Sequence, residues 1–250
     1  MSKIVVIGDI HGRAIWQKIV NDNPDADKII FLGDYFDSHE KKYHPTRQLY
    51  NFNAILKLQE DFGDEKVILL LGNHDYHYLN SGREKYSGFN QTTYFNVHQP
   101  LYDAYMSGKI KILHIEDGFL FSHAGVTEYW LNEISGVNNL IECNDPETFD
   151  YRNLDWNAYK GYDAYGDTIS NSPIWVRPYS LSINRLEGYK HIVGHTTIPE
   201  SKMDDNFYSM GEKYNIYLND LLPHHYIVIE NDKINYVKIE FENVEEDDES

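Results

Sequence analysis

The chain has 250 residues, and its 22 basic and 40 acidic side chains give a formal net charge of −18. This length is sufficient for a large core without disulfide bonds. The acidic balance argues against non-specific binding of nucleic acid, because affinity for phosphate backbones comes mainly from Lys and Arg. The single cysteine, Cys143, excludes an internal disulfide framework and favours a reducing, cytoplasmic compartment. The apolar run at 4–7 is too short for a signal peptide, and no later run is long enough to cross a bilayer, so we expect neither a leader nor a membrane partner.

The first third of the chain repeats one pattern, in which a short apolar run enters a loop rich in Gly, Asp, His and Asn. Residues 3–7 enter the loop GDIHG, residues 28–32 enter GDYFD, and residues 67–71 enter GNHDY. A segment with helical spacing follows GDIHG, and a second helix is predicted to begin near Pro45. Continuous apolar strands separated by helices predict a sheet that is covered on both faces, and such sheets place ligand sites at the carboxyl ends of their strands.

The later part of the chain is typical of β-hairpins. Residues 109–115 and 119–125 flank a turn signal, and residues 225–231 and 233–241 pair in the same way. These pairs predict that the second half forms a mostly antiparallel sheet. For the whole chain we predict an α/β fold, an αββα four-layer sandwich of two mixed sheets with helices outside.

The domain organisation follows from composition. Residues 144–166 mix acidic, Asn and aromatic side chains without clear periodicity. We therefore predict a single domain over 1–243 with an irregular cap or loop region at about 144–188. Residues 244–250 are nearly all Asp and Glu, so we expect a disordered acidic tail.

Side chains that commonly bind metal ions follow the ends of five apolar runs. Oxygen donors mixed with imidazoles suit Mn, Fe or Zn better than Ca or Mg, and there are enough donors for two ions. Taken singly, each residue has an ordinary interpretation as a turn residue or a half-buried histidine. Turn chemistry does not require histidine in four of the five loops, so the coincidence predicts a metal site. The candidates are Asp9, His11, Asp34, Asp37, Asn73, His74, His123 and His195.

The ordered motifs GDIHG, GDYFD, GNHD, SHAG and GHT resemble those of the calcineurin-like metallophosphoesterases. The forms GDYFD and SHAG are most similar to the phosphoprotein phosphatase branch, including its bacterial and bacteriophage members. The resemblance extends from Ile4 to about Thr196. It implies an αββα sandwich and a centre of two divalent metal ions, commonly Mn, with Fe or Zn in some members.

The resemblance also implies a role for each motif residue. Asp34 would bridge both ions, and a bridging carboxylate keeps two cations about 3.5–4 Å apart despite their repulsion. The nucleophile would be a hydroxide shared by the two ions, because metal binding lowers the pKa of water. His74 would protonate the leaving-group oxygen, with Asp37 orienting its ring. Besides Asp34, the first ion would be held by Asp9 and His11, and the second by Asn73, His123 and His195.

Two positions depart from the family pattern. Ser38-His39 stands where the family's protein phosphatases usually have Arg-Gly, so one expected phosphate-binding arginine is absent. Arg177 in PIWVRP and Arg13 after GDIHG are the candidates to replace it, although Arg177 also fits a surface arginine beside prolines. Thr197 replaces the second histidine of the GHxH motif found in many phosphodiesterase branches.

These features predict a metal-dependent phosphatase that hydrolyses phosphomonoesters, either phosphoproteins or small phosphate esters. The segment PIWVR also resembles dinucleoside polyphosphate hydrolases of the same family, which gives the main alternative. A scaffold without activity is favoured only by the missing arginine, and a nuclease is disfavoured by the net charge and by Thr197. The oligomeric state is not indicated by the sequence. We interpret Tyr76, Tyr78, Tyr86 and Tyr94 as a packing layer rather than a groove that stacks on substrate.

Overall fold

The computed structural model describes residues 2–38, 40, 42–80, 86, 88–156, 167–198, 211 and 213–241. The predicted acidic tail at 244–250, residue His39 and positions 157–166 of the predicted cap lie outside the described residues.

Strands and helices alternate along the first half of the described chain, and strands dominate its end. The strands are β1 (Lys3–Ile7), β2 (Lys28–Phe31), β3 (Val67–Leu70), β4 (Ile110–Lys111), β5 (Leu113–Glu116), β6 (Phe119–Ser122), β7 (Lys190–Thr197), β8 (Ile216–Asp220), β9 (His225–Glu230) and β10 (Lys233–Lys238). The helices are α1 (Ile15–Asp22), α2 (Pro45–Phe62), α3 (Asn73–Leu79), α4 (Gln91–Met106), α5 (Glu128–Glu133) and α6 (Pro178–Asn184), with short 3-10 helices at Leu140–Asn144 and Tyr151–Leu154.

The first sheet has the strand order β10-β9-β1-β2-β3-β4. Its strands β1 to β4 run parallel, as the repeated strand, loop and helix pattern predicts. Successive residues of a strand face opposite sides of the sheet. Ile30 accordingly packs in a core with Phe121 of the second sheet, whereas Ile29 packs in the core that contains Phe52 of α2. Burial of each such side chain stabilises the fold by about 1.5–3 kcal/mol.

The second sheet has the order β5-β6-β7-β8, and it corrects one prediction. The hairpin of β5 and β6 is confirmed, but β6, β7 and β8 run parallel to one another. The hairpin of β9 and β10 is also confirmed, yet it extends the first sheet beside β1. The prediction of a mostly antiparallel sheet from the second half is therefore wrong. Parallel neighbours need long crossover connections, and the connection between β6 and β7 includes residues 144–166, which show no clear periodicity in the sequence.

The fold class, an α/β fold with two mixed sheets and helices, is confirmed. The run at 109–115 is split, because Ile110–Lys111 pairs with β3 in the first sheet and Leu113–Glu116 begins the second. Helix α2 begins at Pro45 as predicted, and the His44 side chain caps it by accepting from the Thr46 amide at 3.4 Å.

The region at 144–188 contains the 3-10 helix Tyr151–Leu154 and helix α6 among irregular segments. A single domain over 1–243 stays a prediction. In the part of the chain that the structure describes, no helix has the length and apolar character needed to cross a membrane.

Candidate metal centre

The predicted ligand residues lie where strands of the two sheets end. Asp9 follows β1 by two residues, Asp34 follows β2 by three, and α3 begins at Asn73 three residues after β3. Because β1, β2 and β3 are parallel neighbours, these loops meet at one edge of the first sheet. The second sheet adds His123 directly after β6 and His195 within β7.

Several of the predicted site residues have a left-handed backbone conformation. His11, Asp34, Asp37 and His195 have φ angles of 44°, 53°, 60° and 62°. Non-glycine residues with positive φ are uncommon, and they cluster at functional sites where surrounding contacts hold them. The loops of β1 and β2 are held together here by the His11 amide, which donates to the Asp34 carbonyl at 2.7 Å.

Two glycines let the carboxylates pack directly against neighbouring backbone. A Cβ atom at Gly72 would lie 2.1 Å from Asp34 Oδ1, and one at Gly194 would lie 2.2 Å from Asp9 Oδ1. Any other residue at these positions would displace a carboxylate, so the glycines in GNHD and GHT are required by this close approach.

The six predicted metal ligands converge, and we name them the donor cluster. One potential ligand atom from each of Asp9, His11 and Asp34 lies within 4.8 Å of the other two. On the other side, Asn73 Oδ1 lies 2.8 Å from both His123 Nε2 and His195 Nδ1. Asp34 Oδ2 joins the two groups, at 3.7 Å from His11 Nε2 and 3.4 Å from His123 Nε2. The donor cluster consists of Asp9, His11, Asp34, Asn73, His123 and His195.

The tautomers of two histidines show that this cluster fits cations. His11 Nδ1 donates to the Phe36 carbonyl at 2.7 Å, and His123 Nδ1 donates to the Leu32 carbonyl at 2.8 Å. A neutral imidazole carries one N–H, so each Nε2 presents a lone pair to the Asp34 carboxylate. Burial lowers the pKa of both histidines despite the charge of Asp34, which favours these neutral forms. Lone pairs that face a buried carboxylate are the arrangement of metal ligands held by backbone carbonyls.

The pKa values of the buried carboxylates also indicate that the cluster fits cations. Burial raises the pKa of Asp9 well above its usual range, and the nearby charges of Asp220 and Asp34 raise it further. Burial also raises the pKa of Asp34, but the charged His74 ring and the hydrogen bond from the His74 amide outweigh it and lower that pKa below the usual range. The anionic form of Asp9 is therefore disfavoured by its buried surroundings and by neighbouring carboxylates, and bound divalent ions would relieve this repulsion.

His74 and Asp37 form a pair next to the donor cluster. His74 Nδ1 donates to Asp37 Oδ2 at 3.1 Å, and the His74 amide donates to Asp34 Oδ1 at 2.8 Å. Burial lowers the pKa of His74, but the charges of Asp34 and Asp37 outweigh burial and raise it to about 9. With this pKa the ring is charged near neutral pH, and its side chain is 18% exposed.

Three further side chains that contact the site loops were not predicted from the sequence. Asp75 accepts from the amides of Asp34 at 2.8 Å, Tyr35 at 2.7 Å and Gly72 at 3.0 Å, and thereby ties the GDYFD loop to the GNHD loop. As the acidic residue in the first turn of α3, it accepts from the amide of the helix cap Gly72, which is one half of a capping box, and this position could have identified it.

The other two missed residues, His77 and Tyr78, contact Asp37. His77 Nε2 lies 2.6 Å from Asp37 Oδ2, and the Tyr78 hydroxyl donates to Asp37 Oδ1. They follow His74 in α3 by three and four residues, the spacing that places side chains on one helix face. We name Asp37, His74, His77 and Tyr78 the Asp37 cluster.

Both candidate arginines lie at the edge of the donor cluster. Arg177 is partly buried, and its Nη1 donates to the His195 carbonyl at 3.0 Å and to Thr196 Oγ1 at 3.2 Å. Arg13 donates from Nη1 to the Asp9 carbonyl at 3.5 Å, but its Nε is paired with Glu40 at 3.3 Å.

The tyrosines behave as the packing interpretation predicts. Tyr76 and Tyr78 are fully buried in the main core, and Tyr86 and Tyr94 pack against it. Tyr78 also has the polar contact with Asp37, which the packing interpretation did not foresee.

The protein therefore has an α/β fold with a cluster of potential metal ligands at the carboxyl ends of its strands. The profile of the calcineurin-like phosphoesterase family matches residues 2–228, and the chain belongs to that family. The resemblance inferred from the ordered motifs is therefore confirmed. The family consists of hydrolases of phosphate esters, so the chain has a hydrolase fold of the phosphatase type.

Individual relatives are distant. Shewanella-like protein phosphatase 1 of Plasmodium berghei (strain Anka) is 23% identical over 276 aligned positions, which cover 95% of this chain and 74% of the relative. A metallophosphoesterase from Sphaerobacter thermophilus shares the fold, with a TM-score of 0.51 and 14% identity over 96% of this chain and 89% of that one. A protein serine/threonine phosphatase from Saccharomyces cerevisiae aligns at 15% identity and a TM-score of 0.49, over 97% of this chain and 82% of that one.

Proposed function

We propose that this protein is a metal-dependent phosphatase that hydrolyses phosphomonoesters of proteins or of small molecules. The observation that carries the proposal is the buried convergence of the donor cluster, with the charged His74 ring directly beside it. A fold-only scaffold has no need for neutral imidazoles that aim lone pairs at a buried carboxylate.

The donor cluster would hold two divalent ions. Asp9 and His11 would bind the first ion and Asp34 would contact both, while the second would be completed by Asn73, His123 and His195. The mixture of imidazole nitrogen and carboxylate or amide oxygen suits Mn, and also Fe or Zn. When bound, the ions supply Lewis-acid chemistry, because they neutralise phosphate charge and make water more acidic.

His74 would supply the proton for the departing oxygen. Its Nδ1 is engaged by Asp37, so Nε2 is the ring nitrogen that would hold the transferable proton. Asp37 keeps the ring in one orientation and stabilises its charged form, as a general acid near neutral pH requires. Transfer of this proton matters most when the leaving group is a poor one, such as the side chain of serine.

Arg177 would bind the non-reacting phosphate oxygens in place of the arginine that is absent after Asp37. Its Nη1 is anchored to the His195 carbonyl and Thr196, which fixes the guanidinium plane beside the second metal position. Arginine presents five donors in a planar fork, so Nε and Nη2 would meet two oxygens of a phosphate.

The test is an assay of the Mn-loaded protein against phosphopeptides, phenyl phosphate and diadenosine tetraphosphate. We expect turnover of the monoesters, its loss after chelation, and its return when Mn is added back. His74→Asn should lower kcat on phenyl phosphate by about 10² or more. His114→Asn is the matched control, because His114 lies on β5 and pairs with Glu116 at 3.2 Å.

Two results would contradict the proposal. Equal turnover by His74→Asn and the parent protein would remove His74 from the chemistry. A tenfold or greater preference for the dinucleotide in kcat/KM, about 1.4 kcal/mol, would favour the dinucleoside polyphosphate alternative instead.

A further inference from the structure

We propose that His77 and Tyr78 are positioning residues that fix the Asp37 carboxylate, and through it the His74 ring, in the geometry for proton donation. This inference rests on the proposed function, since it concerns how the general acid is held. It assigns a role to two residues that lie outside all five sequence motifs and that are neither among the six proposed metal ligands nor among the candidate phosphate-binding arginines.

The first argument is that three polar side chains of one helix contact the Asp37 carboxylate. Its Oδ2 lies 3.1 Å from His74 Nδ1 and 2.6 Å from His77 Nε2, and its Oδ1 accepts from the Tyr78 hydroxyl. A carboxylate held only by His74 can rotate about its terminal bond, because that torsion is broad. With contacts on both oxygens the plane of the carboxylate is fixed, and the direction of the His74 hydrogen bond is fixed with it.

The second argument is that the two supporting side chains are themselves immobile. His77 and Tyr78 are both 0% exposed. The Tyr78 oxygen also accepts from the Asn90 amide at 3.1 Å. The His77 ring lies parallel to Tyr86 and edge-on to Phe89, with ring centres 6.4 Å and 5.3 Å apart. Rings enclosed in this way have one available rotamer, so they can hold a neighbouring group in place.

The third argument is energetic. An imidazole or phenol buried without a polar partner costs about 1–3 kcal/mol, so apolar residues would stabilise this helix face better. The Tyr78 hydroxyl offsets that cost by donating to Asp37, and the 2.6 Å approach of His77 Nε2 to Asp37 Oδ2 offsets it in part, since His77 Nδ1 has no hydrogen-bond partner among the described residues. Asp37 itself is 2% exposed at its side chain, and a Cβ atom at Gly88 would lie 3.0 Å from its Oδ2. The carboxylate is therefore enclosed by donors on one side and by loop backbone on the other.

Positioning has a signature that simple loss of stability lacks. Proton donation by His74 limits the rate only when the leaving group is a poor one. Misplacing the ring should therefore slow hydrolysis of phenyl phosphate much more than hydrolysis of 2,4-dinitrophenyl phosphate, whose leaving group departs without a proton. A variant that is merely less folded loses both activities in proportion.

The experiment compares His77→Leu, His77→Gln and Tyr78→Phe in the full-length, Mn-loaded protein with both substrates. For His77→Leu we expect kcat on phenyl phosphate to fall by about 10-fold to 100-fold, with KM unchanged. On 2,4-dinitrophenyl phosphate, kcat should stay within about threefold. His77→Gln should recover most of the loss, since its amide nitrogen can replace Nε2. Tyr78→Phe should show a smaller loss in the same direction.

The matched control is His191→Leu. His191 is also 0% exposed, and its Nε2 contacts only the Leu186 carbonyl, at 2.9 Å, among the hydrogen bonds of the described residues. This substitution should change both activities by the same factor. Tyr78→Phe removes a single oxygen atom and keeps the test decisive if His77→Leu does not fold.

The possible failures are distinguishable. If the His77 and Tyr78 variants slow both substrates equally, as His191→Leu does, the positioning role is wrong while the proposed function stands. If His74→Asn also shows no dependence on the leaving group, the general acid assignment itself is wrong. Full activity of His77→Leu on phenyl phosphate would overturn the inference outright.

Discussion

The donor cluster and the Asp37 cluster are adjacent, but they balance charge in opposite ways. In the donor cluster, burial and neighbouring carboxylates raise the pKa of Asp9. In the Asp37 cluster, burial again raises the carboxyl pKa, yet hydrogen bonds from His74, His77 and Tyr78 lower it below the usual range. The second cluster is completed by donors of the chain itself, whereas the first carries buried negative charge that bound cations would offset. The difference matches the proposed roles, in which the donor cluster binds ions and the Asp37 cluster holds a proton.

The largest expected effect comes from Asp34→Asn, because Asp34 is the residue that joins both halves of the donor cluster. Loss of the bridging charge should lower kcat on phenyl phosphate by roughly 10³-fold or more. Metal analysis should find fewer than about two ions per chain after dialysis against Mn. Retention of both ions by Asp34→Asn would contradict the division between the clusters.

Asp37→Asn should distinguish the role of the Asp37 cluster from that of the donor cluster. The amide keeps the shape of the side chain but not its charge, so we expect kcat on phenyl phosphate to fall by about 10². Metal content measured by mass spectrometry should stay at the parent value, since the donor cluster is intact. A parallel loss of metal would mean that the clusters act as one unit.

Mn should stabilise the folded protein through the donor cluster alone. At a Mn concentration of 100 times Kd, the free energy of unfolding should rise by about 2.7 kcal/mol, measured by denaturant titration with and without chelator. The increase should persist in Asp37→Asn and shrink strongly in Asp34→Asn. The same increase in both variants would show that Mn binds elsewhere on this acidic chain.

The smallest expected effect concerns phosphate binding beside the donor cluster. Arg177→Gln should lower kcat/KM for phenyl phosphate by about tenfold, because a bidentate, charge-assisted contact is lost. Arg13→Gln is the natural comparison, and it should lower kcat/KM less, since Arg13 is paired with Glu40. A larger loss in Arg13→Gln would mean that Arg13, rather than Arg177, is the main phosphate-binding arginine.

The sequence predicted the parts of the molecule that depend on local pattern. The parallel strands β1 to β3 were readable from continuous apolar runs, and the loops after them from their ligand-type residues. The parallel order of β6, β7 and β8 was not readable, because it depends on crossovers between distant segments. His77 was missed for another reason: a histidine on a buried helix face is usually interpreted as packing, and only its 2.6 Å approach to Asp37 distinguishes it.

The left-handed backbone at His11, Asp34, Asp37 and His195 has an evolutionary consequence. Each such conformation costs about 1 kcal/mol or more, and domains are stable by only about 5–15 kcal/mol. Replacing these residues by glycine would relieve that cost but remove the side chains to which we assign the chemistry. Substitutions that raise stability while keeping the proposed activity should therefore be sought at other positions, because relief of this strain would cost the site its side chains.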